Sequence, residues 1–357
     1  MSIDSPIPLK DNDTGINLDA LTGYLRETLG DEALPVVIER FPRGFSNLTY
    51  FLKAGERELV LRRPPVGIKI ASAHDMGREY RVMAGVGKVW DKVPEMIAFC
   101  EDESVLGAPF YLMERVRGVI FRDRVPKGMT LSEETMRAIS TSAVDVLAQI
   151  HGLDTEAAGL TMGRPEGYAE RQVSGWTKRY VKAKTDEVPD VESLAKWLAE
   201  NLPAGHRVGL IHNDFKYDNI ILDPDDLSRV KAVLDWEMAT RGDPRMDLGS
   251  SLAYWIQADD PPQLQLLRFG ITHLPGNLTR EEIVDRYCEV TDQPRFDPLW
   301  YFAYGLFKLI VIAQQLYLRH VRGLTKEPRY AQMIYGVQGL SAIAMRAIQL
   351  ERISDLN

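Results

Sequence analysis

Cysteine is scarce: the 357-residue chain holds two, Cys100 and Cys288, far apart and without metal-ligand spacing. A disulfide scaffold and a thiolate zinc site therefore lack support. A basic excess is missing too. Lys and Arg number 43 against 51 Asp and Glu, a net charge of −8, which argues against broad binding to nucleic acid or to an anionic membrane. No repeat or low-complexity tract occurs. The opening "MSIDSPIPLK" shows no basic segment followed by an apolar stretch, so no secretory signal is read there and the cytoplasm is the expected location. Long apolar runs are limited to "LWYFAYGLFKLIVIAQQLYL", Leu299 to Leu318. Its length suits a membrane span, but Lys308, Gln314 and Gln315 would meet hydrocarbon at high cost. A buried or half-buried helix is expected instead.

What is present is a globular composition, 45% hydrophobic and 26% charged, ample for one large core or two moderate ones. "NLDALTGYLRETLG" places Leu18, Leu21, Leu25 and Leu29 at helical spacing before Gly30. "PVVIERFPRGFSNLTYFLKAGERELVLRRP" reads as two or three antiparallel strands, with "AGERE" as a hairpin connection. "SAHDMGREYRVMAGV" returns to helical spacing through Met76, Tyr80 and Met83, with Ser72 as its N-cap. "PEMIAFCED" and "APFYLMERVRG" read as two further strands.

Beyond Gly118 the pattern is mainly helical. "TLSEETMRAISTSAVDVLAQIHGL" offers Thr130 and Glu133 as a capping box. "YAERQVSGWTKRYVKAK", "DVESLAKWLAENL", the run from Leu299 and "RYAQMIYGVQGLSAIAMRAIQLERI" read as further helices. Only "NIIL" and "VKAVLDW" read as strands there. The expectation is an α+β chain: a sheet-rich N-terminal part over residues 1–115, then a larger helical part over 116–357.

The chemistry concentrates in "HNDFKYDNIILD", His212 to Asp223. Asp214 and Asn219 stand five residues apart, and Asp235 ends the apolar run "VKAVLD". The intervening "NIILDPDDLSRVKAVLD" reads as a hairpin that returns Asp235 towards Asn219. Two carboxylates and an amide carbonyl are a poor zinc set but suit Mg²⁺, which keeps waters and binds phosphate oxygens. Phosphoryl transfer needs one carboxylate to orient a hydroxyl and oxygen ligands to hold metal against the polyphosphate. Lys216 adds a cation able to neutralise the transferred group.

"HNDFKYDNIIL" with "VLDWE" resembles the paired signatures of the aminoglycoside phosphotransferase and choline kinase superfamily. The likeness runs from about Glu39 to the closing helices and is sharpest from His212 to Leu248. It implies a two-lobed, protein-kinase-like fold with an antiparallel-sheet lobe and a mainly helical lobe. ATP, or another nucleoside triphosphate, and Mg²⁺ are the implied cofactors, with a small hydroxyl-bearing acceptor. By the likeness Asp214 is the catalytic base, while Asn219 and Asp235 are Mg²⁺ ligands. Asp243 and Asp247 of "RGDPRMDLGS" resemble acids that brace the loop. His212 and His151 are expected to be structural.

On the nucleotide side, the likeness pairs Arg62 of "ELVLRRPP" with Glu79 of "GREYRVM" to orient phosphates, with Arg63 on the opposite sheet face. "PRGFSNLTY" is neither GxGxxG nor a P-loop. Gly44, Ser46 and Asn47 resemble the family's Gly-x-Ser-Asn turn, whose amides face phosphate. "FYLMERVRG" resembles the link between lobes, with Met113 in the adenine pocket and the backbone of Glu114 and Val116 at the base edge.

The "FSNLTY", "LVLRRPP" and "REYRVM" segments are most similar to the branch associated with acyl-CoA dehydrogenases. That likeness points to a hydroxylated acyl or other small organic acceptor; no flavin-binding signature is seen. A catalytically degenerate nucleotide-binding or scaffold protein is the alternative. A protein kinase fits less well, since no Ala-Pro-Glu segment occurs and Asp-Trp-Glu stands where Asp-Phe-Gly would.

Overall fold

The structure, a computed structural model, describes residues 6–9, 16–41, 47–65, 75–205, 207–266, 268, 270–325 and 327–357. Short runs rich in β-branched and aromatic residues fill the early chain, a pattern that fits a sheet covered differently on its two faces. It forms β1 (Ile7–Pro8), α1 (Leu18–Leu29), β2 (Val36–Arg40), β3 (Leu48–Ala54) and β4 (Arg57–Arg63). Then come α2 (Met76–Val86), β5 (Met96–Cys100), the short α3 (Glu103–Leu106) and β6 (Phe110–Glu114). The strands build one antiparallel sheet in the order β1-β2-β3-β4-β6-β5.

Alternation along β4 decides which arginine goes where. Leu59 and Leu61 join Tyr50, Leu52, Phe110 and Leu112 in a core closed by Leu21 and Leu25 of α1. Arg63 follows the same parity and is fully buried, donating to the Leu106 carbonyl with its guanidinium 5.8 Å from the Tyr50 ring centre. Arg62 points to the other face, where Glu79 of α2 meets it. The β3–β4 turn is Gly55 and Glu56 alone, shorter than the "AGERE" expected, because Gly55 takes the left-handed φ of 58° that a tight hairpin needs.

Two caps also differ from expectation. Asp75 caps α2 through the Arg78 N–H, and Ser72 lies outside the described residues. Ser132, not Thr130, caps α4 (Glu133–His151) by accepting from the Thr135 N–H, since Glu133 is already helical.

The later chain adds α5 (Tyr168–Ala183), α6 (Pro189–Glu200), β7 (Gly209–Ile211), β8 (Ile220–Leu222), β9 (Val230–Val233) and β10 (Thr240–Gly242). It ends in α7 (Pro244–Tyr254), α8 (Pro262–Gln265), α9 (Arg280–Val290), α10 (Leu299–Val321) and α11 (Met333–Leu350). α9 goes beyond the helices expected, although its capping box, Thr279 with Glu282, is legible as "TREE". By contacts, one unit comprises Met1–Ile120, Leu153–Leu160 and Asn219–Ala239, and the other Phe121–Gly152, Thr161–Asp218 and Thr240–Asn357.

In the second unit α10 is the central element, packed against α5, α6, α7 and α11. Length and composition would let it cross a membrane, and 83% of its most apolar window is buried within the protein. Its approach to α7 rests on two glycines. A Cβ on Gly305 would lie 2.3 Å from the Gly249 carbonyl oxygen, and one on Gly249 would lie 2.3 Å from that of Tyr301. Both obstacles are backbone and cannot swing aside. Gly305→Ala is therefore expected to lower stability by about 1–3 kcal/mol, the usual cost of overpacking a core. Denaturant unfolding checks this; an unchanged midpoint would mean that the two helices separate freely.

Candidate functional site

In the first unit, β8 and β9 form the expected hairpin. Ile220 pairs with Val233, and the Leu234 N–H donates to the Asn219 carbonyl at 2.8 Å, so Asp235 follows directly on residues tied to Asn219. Asp235 itself has a left-handed φ of 67°. Trp236 anchors the bend: it is fully buried, and its Nε1–H donates to the Val233 carbonyl at 2.9 Å.

Arg62 reaches this bend from β4. One arm of its guanidinium donates to Glu79 at 2.6 Å and the other to Asp235 at 3.0 Å, with the Tyr111 hydroxyl 3.4 Å away. The Glu79 side chain is wholly buried and that of Arg62 is 11% exposed. Burial pushes the Glu79 carboxyl up, opposed by Arg62 and reinforced by Asp235. Burial by itself would lower Arg62, but Glu79, Tyr111 and Asp235 together hold it well above its ordinary value. Among the described residues the buried Arg62 Nε–H and Glu79 Oε2 have no hydrogen-bond partner.

Asn47 joins the same network, its amide donating to Glu237 at 3.1 Å. Arg78 of α2 donates to the carbonyls of Glu237 and Ala239, fastening the helix to the segment that carries Asp235. Gly44 and Ser46 lie outside the described residues. Met113 is buried opposite Val60, on the sheet face that carries Arg62. The Glu114 carboxylate pairs with Arg57, and its N–H donates to the Glu95 carbonyl at 2.9 Å. Val116 is half-buried.

The second unit holds the other polar group. Asp247, buried on α7, accepts the backbone N–H groups of His212 at 2.6 Å and Asn213 at 2.8 Å. His151, at the end of α4, lies 3.1 Å from Asp247 through Nε2 and 2.7 Å from the Tyr287 hydroxyl through Nδ1. Burial would raise the Asp247 carboxyl, but His151 and the His212 N–H outweigh it and hold the pKa below the usual carboxylate range. His212 accepts the Asp214 N–H on Nδ1 at 3.3 Å. Asp243 caps α7 through the Arg245 N–H at 2.9 Å.

Lys216 bridges both oxygens of Asp214, at 2.8 and 2.7 Å, and its ammonium also stands 4.8 Å from the centre of the Tyr254 ring. Sequence reading passes over Asp218. Burial pushes its carboxyl up to about 6, against the pull of Lys216 and Arg122, and among the described residues its buried Oδ1 has no hydrogen-bond partner. The only cue in the sequence is an acid directly before "NIIL".

Two groups thus emerge, Arg62 with Glu79 and Asp235, and Asp214 with Lys216. Among the described residues no three His, Cys, Asp or Glu side chains converge as a metal cage. The Asp235 carboxylate and Asn219 amide are oxygen donors of the type that could hold Mg²⁺, which takes few protein ligands and keeps its waters.

Comparison with known proteins gives the family and the fold. The mouse protein acyl-CoA dehydrogenase family member 10 is 38% identical over 309 residues, which is 85% of this chain and 28% of that relative. The chain therefore spans less than a third of that relative's length. A candidate aminoglycoside phosphotransferase from Ralstonia eutropha JMP134 superposes with a TM-score of 0.79 at 30% identity, covering 93% of this chain and 98% of that one. Choline kinase from Cryptosporidium parvum, 12% identical, shares the fold at a TM-score of 0.59, over 95% of this chain and 98% of its own. The antiparallel-sheet part and the mainly helical part are those of the kinase-like fold. The model of the phosphotransferase enzyme family matches residues 37–278, and the chain belongs to that family.

Proposed function

We propose that this chain is a cytoplasmic, Mg²⁺-dependent enzyme that moves the γ-phosphoryl group of ATP, or of another nucleoside triphosphate, to a hydroxyl of a small molecule. The observation that carries the reading is the buried fork of Arg62 on Glu79 and Asp235. Two carboxylates around one guanidinium leave an excess negative charge where a divalent cation would relieve it. Asp235 and Asn219 would hold Mg²⁺, which supplies charge neutralisation to phosphate oxygens when bound. Glu79 keeps one arm of Arg62 fixed, so the arm now on Asp235 is oriented for a phosphate oxygen. Asn47, tied to Glu237, would face the phosphates, with Met113, Glu114 and Val116 at the base.

Asp214 takes the acceptor's proton in this reading. Lys216 now donates to both its oxygens, and each carboxylate oxygen has a second lone pair to which a hydroxyl could donate. The Tyr254 ring beside the ammonium offers a cation a second contact. Lys216 can then turn its charge to the transferred group. The likeness to acyl-CoA dehydrogenase family member 10 favours a hydroxylated acyl or other small organic acceptor. Lys216 capping the base is also the observation on the side of a degenerate nucleotide-binding protein, which would phosphorylate nothing.

Screening hydroxyl-bearing metabolites for a nucleotide-dependent mass gain of one phosphoryl group tests the reaction. With an acceptor in hand, Asp214→Asn is expected to keep the fold and lose turnover by roughly 100-fold or more, the scale of general-base catalysis. Equal turnover in the variant would remove Asp214 from the chemistry.

Asp247 does no chemistry in this scheme and holds the loop. Asp247→Asn should cost about 3 kcal/mol near neutral pH, as for a buried charge stripped of its role. A carboxyl held below its unfolded pKa stabilises above that value and loses the contribution as pH falls through the folded one. The gap between the unaltered protein and Asp247→Asn should therefore shrink in acid. Unfolding curves that stay equally far apart at both pH values would contradict the assignment.

A further inference from the structure

Lys308 lies midway along α10, in the most apolar helix of the chain, and is 3% exposed. A buried ammonium is costly unless something specific receives it. The acceptor here is the Asn213 carbonyl, to which Nζ donates. No carboxylate lies within ion-pair distance of it among the described residues. Four other charged groups act on it: Asp214 and Asp247, which favour the ammonium, and Lys216 and Arg179, which oppose it. Burial has the largest effect and lowers its pKa.

The carbonyl that Lys308 holds belongs to the peptide unit joining Asn213 to Asp214. The N–H of that same unit is held by His212 Nδ1 at 3.3 Å. The two preceding peptide units are fixed by Asp247 through the N–H groups of His212 and Asn213. Asn213 sits at a φ of 67°, in the left-handed region that Asn enters more readily than most residues with a side chain. Three consecutive peptides are thus pinned. Lys308 pins the carbonyl side, directly before the Cα of Asp214.

We propose that Lys308 is a positioning residue for Asp214, fixing the orientation of the Asn213–Asp214 peptide and adding a buried positive charge beneath the loop. The catalytic consequence rests on the phosphotransferase reading above; the mechanical one does not. Lys308→Met keeps length and packing while removing the donor and the charge, and Lys308→Arg keeps both in a bulkier group.

Hydrogen exchange followed by mass spectrometry, together with denaturant unfolding, separates pinning from ordinary core packing. Lys308→Met leaves the buried Asn213 carbonyl without its donor, so a lowered unfolding midpoint is expected, partly offset by the loss of a costly buried charge. Exchange at the amides of His212, Asn213 and Asp214 should quicken by roughly 10-fold or more beyond any change elsewhere in the protein, the scale set by losing a hydrogen bond to a charged group. With an acceptor identified, kcat should fall while the KM for nucleotide holds, and Lys308→Arg should recover part of the loss. Unchanged exchange at those three amides in Lys308→Met would overturn the proposal. So would acceleration of the same size across the whole protein, the mark of a plain core residue. The exchange measurement needs neither nucleotide nor acceptor. It decides the role of Lys308 even if the unaltered protein phosphorylates nothing, a result that would count against the reaction instead.

Discussion

A single buried carboxylate organises the helical unit. Asp247 has lost its water, so its oxygens must be met by donors from the protein. Those donors are two successive backbone N–H groups, of His212 and Asn213, and His151 stands against it as well. The path to that arrangement starts with Gly249 and Gly305, whose missing side chains let α7 and α10 meet at backbone distance. Their approach fixes where α7 presents Asp247, and Asp247 in turn fixes the loop. Asp214 inherits its position from a chain of contacts in which it takes little part. The same helix pair places Lys308 beneath the loop, so one packing decision sets the supports on both sides of the peptide.

The sheet-bearing unit solves a different problem, that of burying a guanidinium. Arg62 would be prohibitively placed if it faced only Tyr111 and Val60. Two carboxylates make it tolerable, and the second of them, Asp235, comes from a hairpin far along the chain. The arrangement is electrically overcompensated and, among the described residues, leaves Arg62 Nε–H and Glu79 Oε2 without hydrogen-bond partners. A protein optimised for stability alone would have filled this position with apolar residues. A buried, partly unsatisfied polar cluster supports the proposal of a phosphate and metal site.

Much of this is legible in the sequence because spacing and parity carry it. Alternation in "ELVLRR" separates Arg62 from Arg63, and "NIIL" with "VKAVLD" can hardly avoid returning Asp235 to Asn219. Capping residues are less legible: Ser132 and Thr130 both suit the start of α4, and only the helix register chooses between them. Two facts cannot be read from spacing at all. That Lys216 lies across Asp214 depends on rotamers, and that Lys308 bonds a carbonyl 95 residues away depends on how α10 is rotated. In the sequence Lys308 is merely a flaw in an apolar run. The pKa of Asp218 is equally hidden, since burial is a property of neighbours that spacing does not name.

The central claim is that Arg62, Asn219 and Asp235 form a place for a metal-bound polyphosphate. Calorimetric titration of the unaltered protein and of Asp235→Asn with a non-hydrolysable ATP analogue, in Mg²⁺ and in chelator, tests it without any acceptor. The account predicts that Mg²⁺ tightens binding by roughly tenfold or more in the unaltered protein, as expected where a metal bridges protein oxygens to phosphates, and that this gain disappears in the variant. Equal affinity with and without Mg²⁺, unchanged by Asp235→Asn, would contradict it.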